Sequence, residues 1–358
     1  MARPNLPPRF ADRAELRAHR DGMTLEDVPG GYLLAVVPGD DEAEDPHFRI
    51  RPTRAIGIYE AGAGGSLHLR GSVRHAPRSA ENAMRSARLL ARLMRLHESR
   101  FGTPIRLPRD ADRFDAWLVD RPAADASVGG ETRTNHIYVW DADSNRTSFE
   151  WARTLCHEFG HLVLSAARGY AAPEGDAAGY LGEALFVEFL KADDAPVPQD
   201  DHCRPSDLER YAVERNLPRE RKFLAVGPAD RTLDRLDGSG MDLYIGGALA
   251  VRRAYGPGLL WKAMRGIDDE SPRELFASLR RTLLGQRETI VRLPAWVPFY
   301  ADQYQFAARE GTGILRISSL PPVAMDSPRS VRFPTPGWRL LASDAGNLAT
   351  IALRRGPK

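Results

Sequence analysis

The stretch "TLCHEFGHLV" (residues 154–163) carries two histidines four positions apart, with a glutamate directly after the first. An α-helix turns by about 100° per residue, so His157 and His161 would stand about 40° apart on successive turns of one face. That spacing lets both imidazoles bind one tetrahedral zinc ion. Glu158 would project about 100° away from His157, where it can hydrogen-bond a water molecule at the same ion. The pattern predicts two metal ligands and a general base.

The remaining residues of this helix form an apolar stripe opposite the histidines. Five residues fall near 180° from His157: Ala152, Leu155, Phe159, Leu162 and Ala166. This stripe predicts a helix that packs on a core and turns its histidines toward a cleft. Ser148 is a suitable N-cap residue. The alternative is a structural helix that binds no metal, since the three fixed letters arise by chance on the order of once in a hundred such sequences.

Composition narrows the classes of partner. The chain has 358 residues, a net charge of +2, 42% hydrophobic residues and 27% charged residues, which are values typical of a soluble globular protein. The charge gives no reason to expect nucleic acid or an anionic membrane surface as partner. No apolar run approaches the length of a membrane span, so we expect none.

Cysteine content and the first residues bear on the compartment. Cys156 and Cys203 are the two cysteines, so no disulfide framework is expected. Two buried thiols are favoured, and a single bridge between them stays open. The start "MARPNLPPRF" lacks the apolar core of a signal peptide. That is consistent with a cytoplasmic protein or with an exported one whose leader is absent.

The pattern along the chain divides it into three regions. Residues 1–78 contain short strand-like runs separated by Gly, Pro and an acidic loop, which predicts a β-rich N-terminal region. Residues 79–290 contain the helical segments and the histidine motif, and residues 291–358 return to Pro-rich, strand-like segments. We therefore expect an α+β fold in which a catalytic domain lies between two small β-rich regions.

Within the central region the periodicity changes between helical and extended. It predicts a helix from Ser79 to Gly102, with His97 packed in the core. The other predicted elements are strands at 116–120 and 135–140, helices at about 177–191 and 242–256, and a shorter helical pair within 258–285.

A catalytic zinc ion needs a third protein ligand besides the two histidines. Leu164 and Ala167 stand where metzincins carry Gly and His, so that branch is excluded. Glu174 and Asp176 lie in a Gly/Pro-rich loop, where we expect them to be solvated. The next helix, "GYLGEALFVEFLK" (179–191), is apolar on nearly every face. A carboxylate there is costly unless it is paired or bound to a metal ion.

Together with the histidine motif, "GEALFVEF" (182–189) resembles the third-ligand segment of the gluzincins, the thermolysin-like and aminopeptidase-like branch of the zincin metallopeptidases (peptidase MA). The resemblance implies that Glu183 is the third ligand of one Zn²⁺ ion. The segment departs from the family pattern, because its Gly precedes the Glu and the spacing of 22 residues after His161 is slightly long. Glu188 is the alternative ligand, or a carboxylate of a salt bridge.

A downstream segment is also similar to this branch. "MDLYIGGALAVRRAYGPGLLWKAM" (241–264) resembles the later gluzincin helix, and Tyr244 follows Glu183 by 61 residues. The resemblance implies that Tyr244 donates a hydrogen bond to the oxyanion that forms during hydrolysis. The alternative is that Tyr244 is a core aromatic residue at the start of a helix. Tyr255 is expected to be structural.

The segment before the histidine helix, "VGGETRTNHIYVW" (128–140), is similar to the edge strand that pairs with extended peptides in this branch. Its "GGE" also resembles part of the motif that binds a substrate amino terminus in aminopeptidases. Because the Met-Glu-Asn core of that motif is missing, a plain turn is favoured over such a role for Glu131.

The resemblance covers about residues 79–290 and implies a zincin-like catalytic domain, with a small sheet, an edge strand, the active-site helix and a helical lower half. It implies zinc-dependent hydrolysis of a peptide or protein substrate, with Glu158 as general base. The alternative is a zinc-bearing, inactive or narrowly dedicated peptide-binding protein of the same fold. The resemblance slightly favours export, and it leaves endo- or exopeptidase action and the oligomeric state open.

Overall fold

The computed structural model describes residues 6–38, 44–51, 54–121, 129–142, 146–171, 174–194, 204–267, 271–344 and 348–356. They form a mixed α+β fold, as predicted. The chain separates into two compact units: Met1–Leu164 with Leu185–Arg210, and Ser165–Ala184 with Tyr211–Lys358. The predicted three-part division stays a prediction. None of the described helices is long and apolar enough to cross a membrane.

The first unit contains an eight-stranded sheet. Its strands are β1 (Arg9–Phe10), β2 (Thr24–Val28), β3 (Tyr32–Val37), β4 (Arg54–Ala61), β5 (Leu67–His75), β6 (Phe114–Val119), β7 (Gly130–Arg133) and β8 (His136–Trp140). Their order is β2-β3-β4-β5-β6-β8-β7, and β1 also pairs with β5. Strands from before and after residue 78 therefore lie in one sheet.

Strand direction changes across this sheet. Strands β2 to β5 are antiparallel, while β6 is parallel to both β5 and β8. All six residues of β6 are buried, which is typical of a parallel strand covered on both faces. Strand β7 runs antiparallel to β8 and is the last strand of the order given by the described residues.

The helices that begin in or border this unit are α1 (Arg13–His19), α2 (Ala80–Phe101), α3 (Ser148–Val163), α4 (Ala178–Lys191) and α5 (Pro205–Tyr211). The division between the units falls within α4. Helix α2 corresponds to the predicted helix at 79–102, and it ends at Gly102 in a left-handed conformation with φ of 70°. Ser79 does not cap it with its side chain, because that hydroxyl donates to Asp120. His97 is fully buried, as predicted, and burial lowers its pKa to about 4.

Helix α3 differs from the prediction at both of its ends. Its N-cap is Thr147 and not Ser148, because Glu150 stands three residues after Thr147 and completes a capping box. The helix ends at Val163, so Ala166 of the predicted stripe lies beyond it. The other stripe residues are buried, as predicted: Ala152, Leu155, Phe159 and Leu162.

The second unit contains the helices α6 (Leu217–Val226), α7 (Gly238–Tyr255), α8 (Pro257–Arg265) and α9 (Pro272–Leu284). Its strands are β9 (Glu288–Arg292), β10 (Ala295–Phe299), β11 (Gln303–Glu310), β12 (Ile314–Ile317), β13 (Val323–Ala324), β14 (Arg329–Arg332), β15 (Gly337–Asp344) and β16 (Thr350–Arg355). They form two four-stranded sheets, β10-β15-β12-β13 and β14-β11-β16-β9. The rings of Phe299 and Phe333 stack 3.9 Å apart in their shared core.

Helices α5 and α6 were not predicted from the sequence. Few of their residues are buried, and in α6 the buried one is Phe223. Helices of this kind lack the continuous apolar stripe on which a sequence prediction depends.

Candidate metal and catalytic site

The two histidines of the motif lie on neighbouring turns of α3, and both are partly exposed. The centroids of the His157 and His161 rings are 5.0 Å apart, with an angle of 72° between the ring planes. A Zn–N bond of about 2.1 Å puts a ring centroid about 3.2 Å from the ion, so two imidazoles on one tetrahedral ion have centroids roughly 5 Å apart. The observed pair therefore fits two ligands of a single zinc ion.

Glu158 follows the first histidine and is buried, with 4% of its surface exposed. The hydroxyl Oγ1 of Thr132, on β7, lies 2.8 Å from Glu158 Oε2 and 3.0 Å from the Glu158 carbonyl oxygen. Gly130 lies against the same side chain, because a Cβ built on it would be 2.5 Å from Glu158 Oε1. The predicted general base is thus enclosed between α3 and the last strand of the sheet.

The buried face of α3 fixes the helix on the sheet. Phe159 packs edge-on against Phe114 of β6 and Phe186, with ring centroids 6.2 Å and 5.2 Å apart. Cys156 is also fully buried, as predicted for a thiol in the core, and Cys203 lies outside the described residues. Packing of this kind limits motion of the helix that carries the histidines.

Glu183 lies on α4 and belongs to the second unit. It is buried, with 3% of its surface exposed, between the fully buried residues Leu181 and Ala184. The start of this helix is held by Asp176, whose Oδ1 accepts a hydrogen bond of 2.8 Å from the Ala178 amide. Glu188, the alternative ligand, is partly exposed and lies in the first unit.

Described residues on the two sides of the loop before α4 are joined by backbone contacts. Arg168 and Asp176 form a backbone bridge, and the Tyr170 amide donates to the Gly175 carbonyl at 3.2 Å. Asp176 and Glu174 are both partly exposed, and the Asp176 carboxylate also accepts a hydrogen bond from the start of α4. Short-range backbone hydrogen bonds hold this Gly/Pro-rich segment in place, which its composition did not show.

Tyr244 lies on α7 in the second unit and is fully buried. Its hydroxyl accepts a hydrogen bond of 3.4 Å from the Ala167 amide. Burial raises its pKa, so the phenol keeps its proton at neutral pH and can still donate it in a hydrogen bond. Tyr255 donates to the Trp296 carbonyl at 2.7 Å, in agreement with the structural role predicted for it.

The "GGE" segment forms the start of strand β7 and not the turn that was favoured for it. The Glu131 carboxylate accepts a hydrogen bond of 2.5 Å from Arg133, which in turn lies 4.4 Å from the centroid of the Phe48 ring. Because side chains alternate along a strand, Glu131 and Arg133 point away from the face that contacts Glu158.

Sequence reasoning missed Thr132 and Gly130. No strand was predicted here from the residue pattern, so the face that Gly130 and Thr132 share in β7 could not be inferred. The sequence of this segment also does not show that the face packs against α3.

Comparison with known proteins leaves the family open. No protein-family model and no curated protein matches the chain. Among solved structures, the chain is similar to Legionella pneumophila aminopeptidase A in complex with aspartic acid, with a TM-score of 0.32 and 8% sequence identity. The match covers 88% of this chain and 40% of that one. At this TM-score the likeness assigns neither a family nor an activity, and the gluzincin membership stays a prediction.

Proposed function

We propose that this protein is a zinc-dependent peptidase that hydrolyses peptide bonds with an activated water molecule. The observation that carries the proposal is the arrangement on α3. The ring centroids of His157 and His161 lie 5.0 Å apart. The carboxylate of Glu158, which follows His157 in sequence, is buried against β7, the last strand in the sheet that the described residues form. A structural helix has no use for this combination of a ligand pair and a buried acid.

The proposed zinc ligands are His157, His161 and Glu183. The role of Glu183 is carried over from the resemblance to the gluzincins, and its carboxylate lies on α4 with 3% of the residue exposed. Glu174 is the alternative carboxylate for the third position. When bound, zinc supplies Lewis acidity, which lowers the pKa of water to about 7 and polarises a carbonyl group.

The chain's own residues complete the reaction. Glu158 takes a proton from the water as its oxygen forms a bond to the peptide carbonyl carbon. Glu158 then passes that proton to the amine as the C–N bond breaks, so the carboxylate is regenerated. The resemblance gives Tyr244 the hydrogen bond to the carbonyl oxygen, on which negative charge develops. Its full burial favours the alternative, a core aromatic residue at the start of a helix.

Strand β7 is the proposed binding edge for the substrate main chain. In the sheet formed by the described residues, β7 pairs with β8 on one side and ends the strand order. An extended peptide can add to such an edge through backbone hydrogen bonds, with little dependence on its side chains.

Metal content and hydrolysis test the proposal together. Purified protein should contain one zinc ion per chain, and it should cleave a mixed library of internally quenched octapeptides. His157→Ala should lose the metal and the activity, whereas Glu158→Gln should keep the metal and lose hydrolysis. Stoichiometric zinc without cleavage of any library member would favour the peptide-binding alternative, and absence of zinc would refute both.

The third ligand is tested by two matched variants. Glu183→Gln and Glu174→Gln each replace a carboxylate with a neutral group of the same shape. If Glu183 is the ligand, its variant loses zinc and the Glu174 variant keeps it. The reverse result would transfer the role to Glu174.

A further inference from the structure

Thr132 makes the contact from which this inference starts. Its hydroxyl lies 2.8 Å from the carboxylate Oε2 of Glu158 and 3.0 Å from the carbonyl oxygen of the same residue. Threonine has a single hydroxyl proton, and a carboxylate is a stronger acceptor than a neutral carbonyl group. The hydroxyl therefore donates mainly to the carboxylate, which ties the end of the Glu158 side chain to β7.

Gly130 leaves room for the other carboxylate oxygen, Oε1 of Glu158. A Cβ at this position would lie 2.5 Å from Glu158 Oε1 and 2.9 Å from both Glu158 Cγ and Thr154 Cγ2. The backbone of β7 thus approaches α3 more closely than any side chain permits. Glycine leaves the space that the carboxylate occupies, and Thr132, two residues further along the same face, donates to it.

Strand β7 is itself held in register by β8. Gly130 pairs with Val139, and Thr132 pairs with Ile137, whose side chain is fully buried. The hydroxyl is therefore presented from a strand whose backbone is fixed by a ladder of hydrogen bonds. A donor on such a scaffold restricts the rotamers of its acceptor more strongly than a donor on a loop.

We propose that Thr132 is a positioning residue, which holds the Glu158 carboxylate in the orientation that takes a proton from the attacking water. This inference rests on the proposed function. A general base must lie within about 2.6–3.2 Å of the group from which it takes a proton. A misplacement of about 1 Å can cost on the order of 100-fold in rate.

Two substitutions at Thr132 separate the hydroxyl from the shape of the side chain. Thr132→Val keeps the shape and removes the donor, and kcat on the octapeptide library should fall by about 10- to 100-fold. The KM should change by less than about twofold, and bound zinc should be unchanged. Thr132→Ser restores the donor, and kcat should return to within about threefold of the wild-type value.

Thr350→Val is the matched control, since it removes a threonine hydroxyl that donates to Glu310 at 2.7 Å within a sheet of the second unit. It should leave kcat unchanged. The inference is overturned if Thr132→Ser loses as much activity as Thr132→Val, if Thr350→Val loses activity to the same extent, or if Thr132→Val keeps the wild-type kcat.

A second measurement does not depend on activity. The unfolding temperature of the metal-free full chain is compared for Thr132→Val, Glu158→Ala, and the double variant. If the hydroxyl holds the carboxylate, Thr132→Val should lower the unfolding temperature of the wild type by more than that of Glu158→Ala, in which the hydroxyl can still donate to the backbone carbonyl of residue 158. Additive shifts in the unfolding temperature would show that the hydroxyl and the carboxylate do not interact, which would overturn the inference. An inactive wild-type protein with coupled shifts would instead reject the proposed function while keeping the contact.

Discussion

Replacing Gly130 with alanine should disable the base without removing any catalytic group. The added Cβ would lie 2.5 Å from Glu158 Oε1, whereas ordinary contacts begin at 3.4 Å, so the carboxylate must retreat by about 0.9 Å. A displacement of about 1 Å costs on the order of 100-fold in rate, and we expect kcat to fall by that factor. Overpacking by one methyl group should also lower the free energy of unfolding by about 1–3 kcal/mol. Each kcal/mol should lower the unfolding temperature by about 2–4 °C.

The assay is steady-state hydrolysis of the octapeptide library together with thermal unfolding and zinc content. Gly258→Ala is the control, because Gly258 lies within α8 and a Cβ there meets nothing within 4 Å. Alanine in a helix is favoured over glycine, so this control should stabilise the protein by about 0.5–1 kcal/mol and leave kcat unchanged. Wild-type kcat in Gly130→Ala would show that the close approach of β7 does not constrain Glu158.

Three further outcomes are expected. Thr147→Ala removes the capping box of α3 and should lower the free energy of unfolding by about 1 kcal/mol, as measured by denaturant titration. The pKa of His97 is lowered to about 4 by burial, so the unfolded chain binds more protons between pH 6.5 and 4. The free energy of unfolding should therefore decrease as the pH is lowered from 6.5 to 4, by about 3 kcal/mol in total. His97→Leu should flatten that slope, and an unchanged slope would assign it to other groups. Chelation of zinc present at about 1,000 times its dissociation constant should remove about 4 kcal/mol of stability. The same treatment should leave the unfolding temperature of His157→Ala unchanged.

The histidine helix could be predicted from the sequence because its signals are local. The spacing of His157 and His161, the position of Glu158 and the apolar stripe all fall within a few turns of one helix. The cap was misassigned by one residue, since Thr147 and Ser148 are both good N-cap residues. Only Thr147 has a glutamate three positions later.

The surroundings of the base could not be predicted in the same way. The contact between Thr132 and Glu158 joins residues 26 positions apart and depends on which face of β7 meets α3. Similarly, β5 pairs with β6 in parallel across the whole of α2, and no local pattern specifies that pairing. Periodicity identifies a strand and its two faces, but the partner of each face is decided by tertiary packing.

The alternation of β7 separates two requirements that an enzyme must meet at one edge strand. Gly130 and Thr132 are committed to the base, whereas Glu131 and Arg133 face the other way. In the proposed mechanism, positions 131 and 133 can therefore be randomised in a library without disturbing proton transfer. Preference for new peptides should be accessible through these two odd-numbered positions, while position 130 requires glycine and position 132 requires a hydroxyl group.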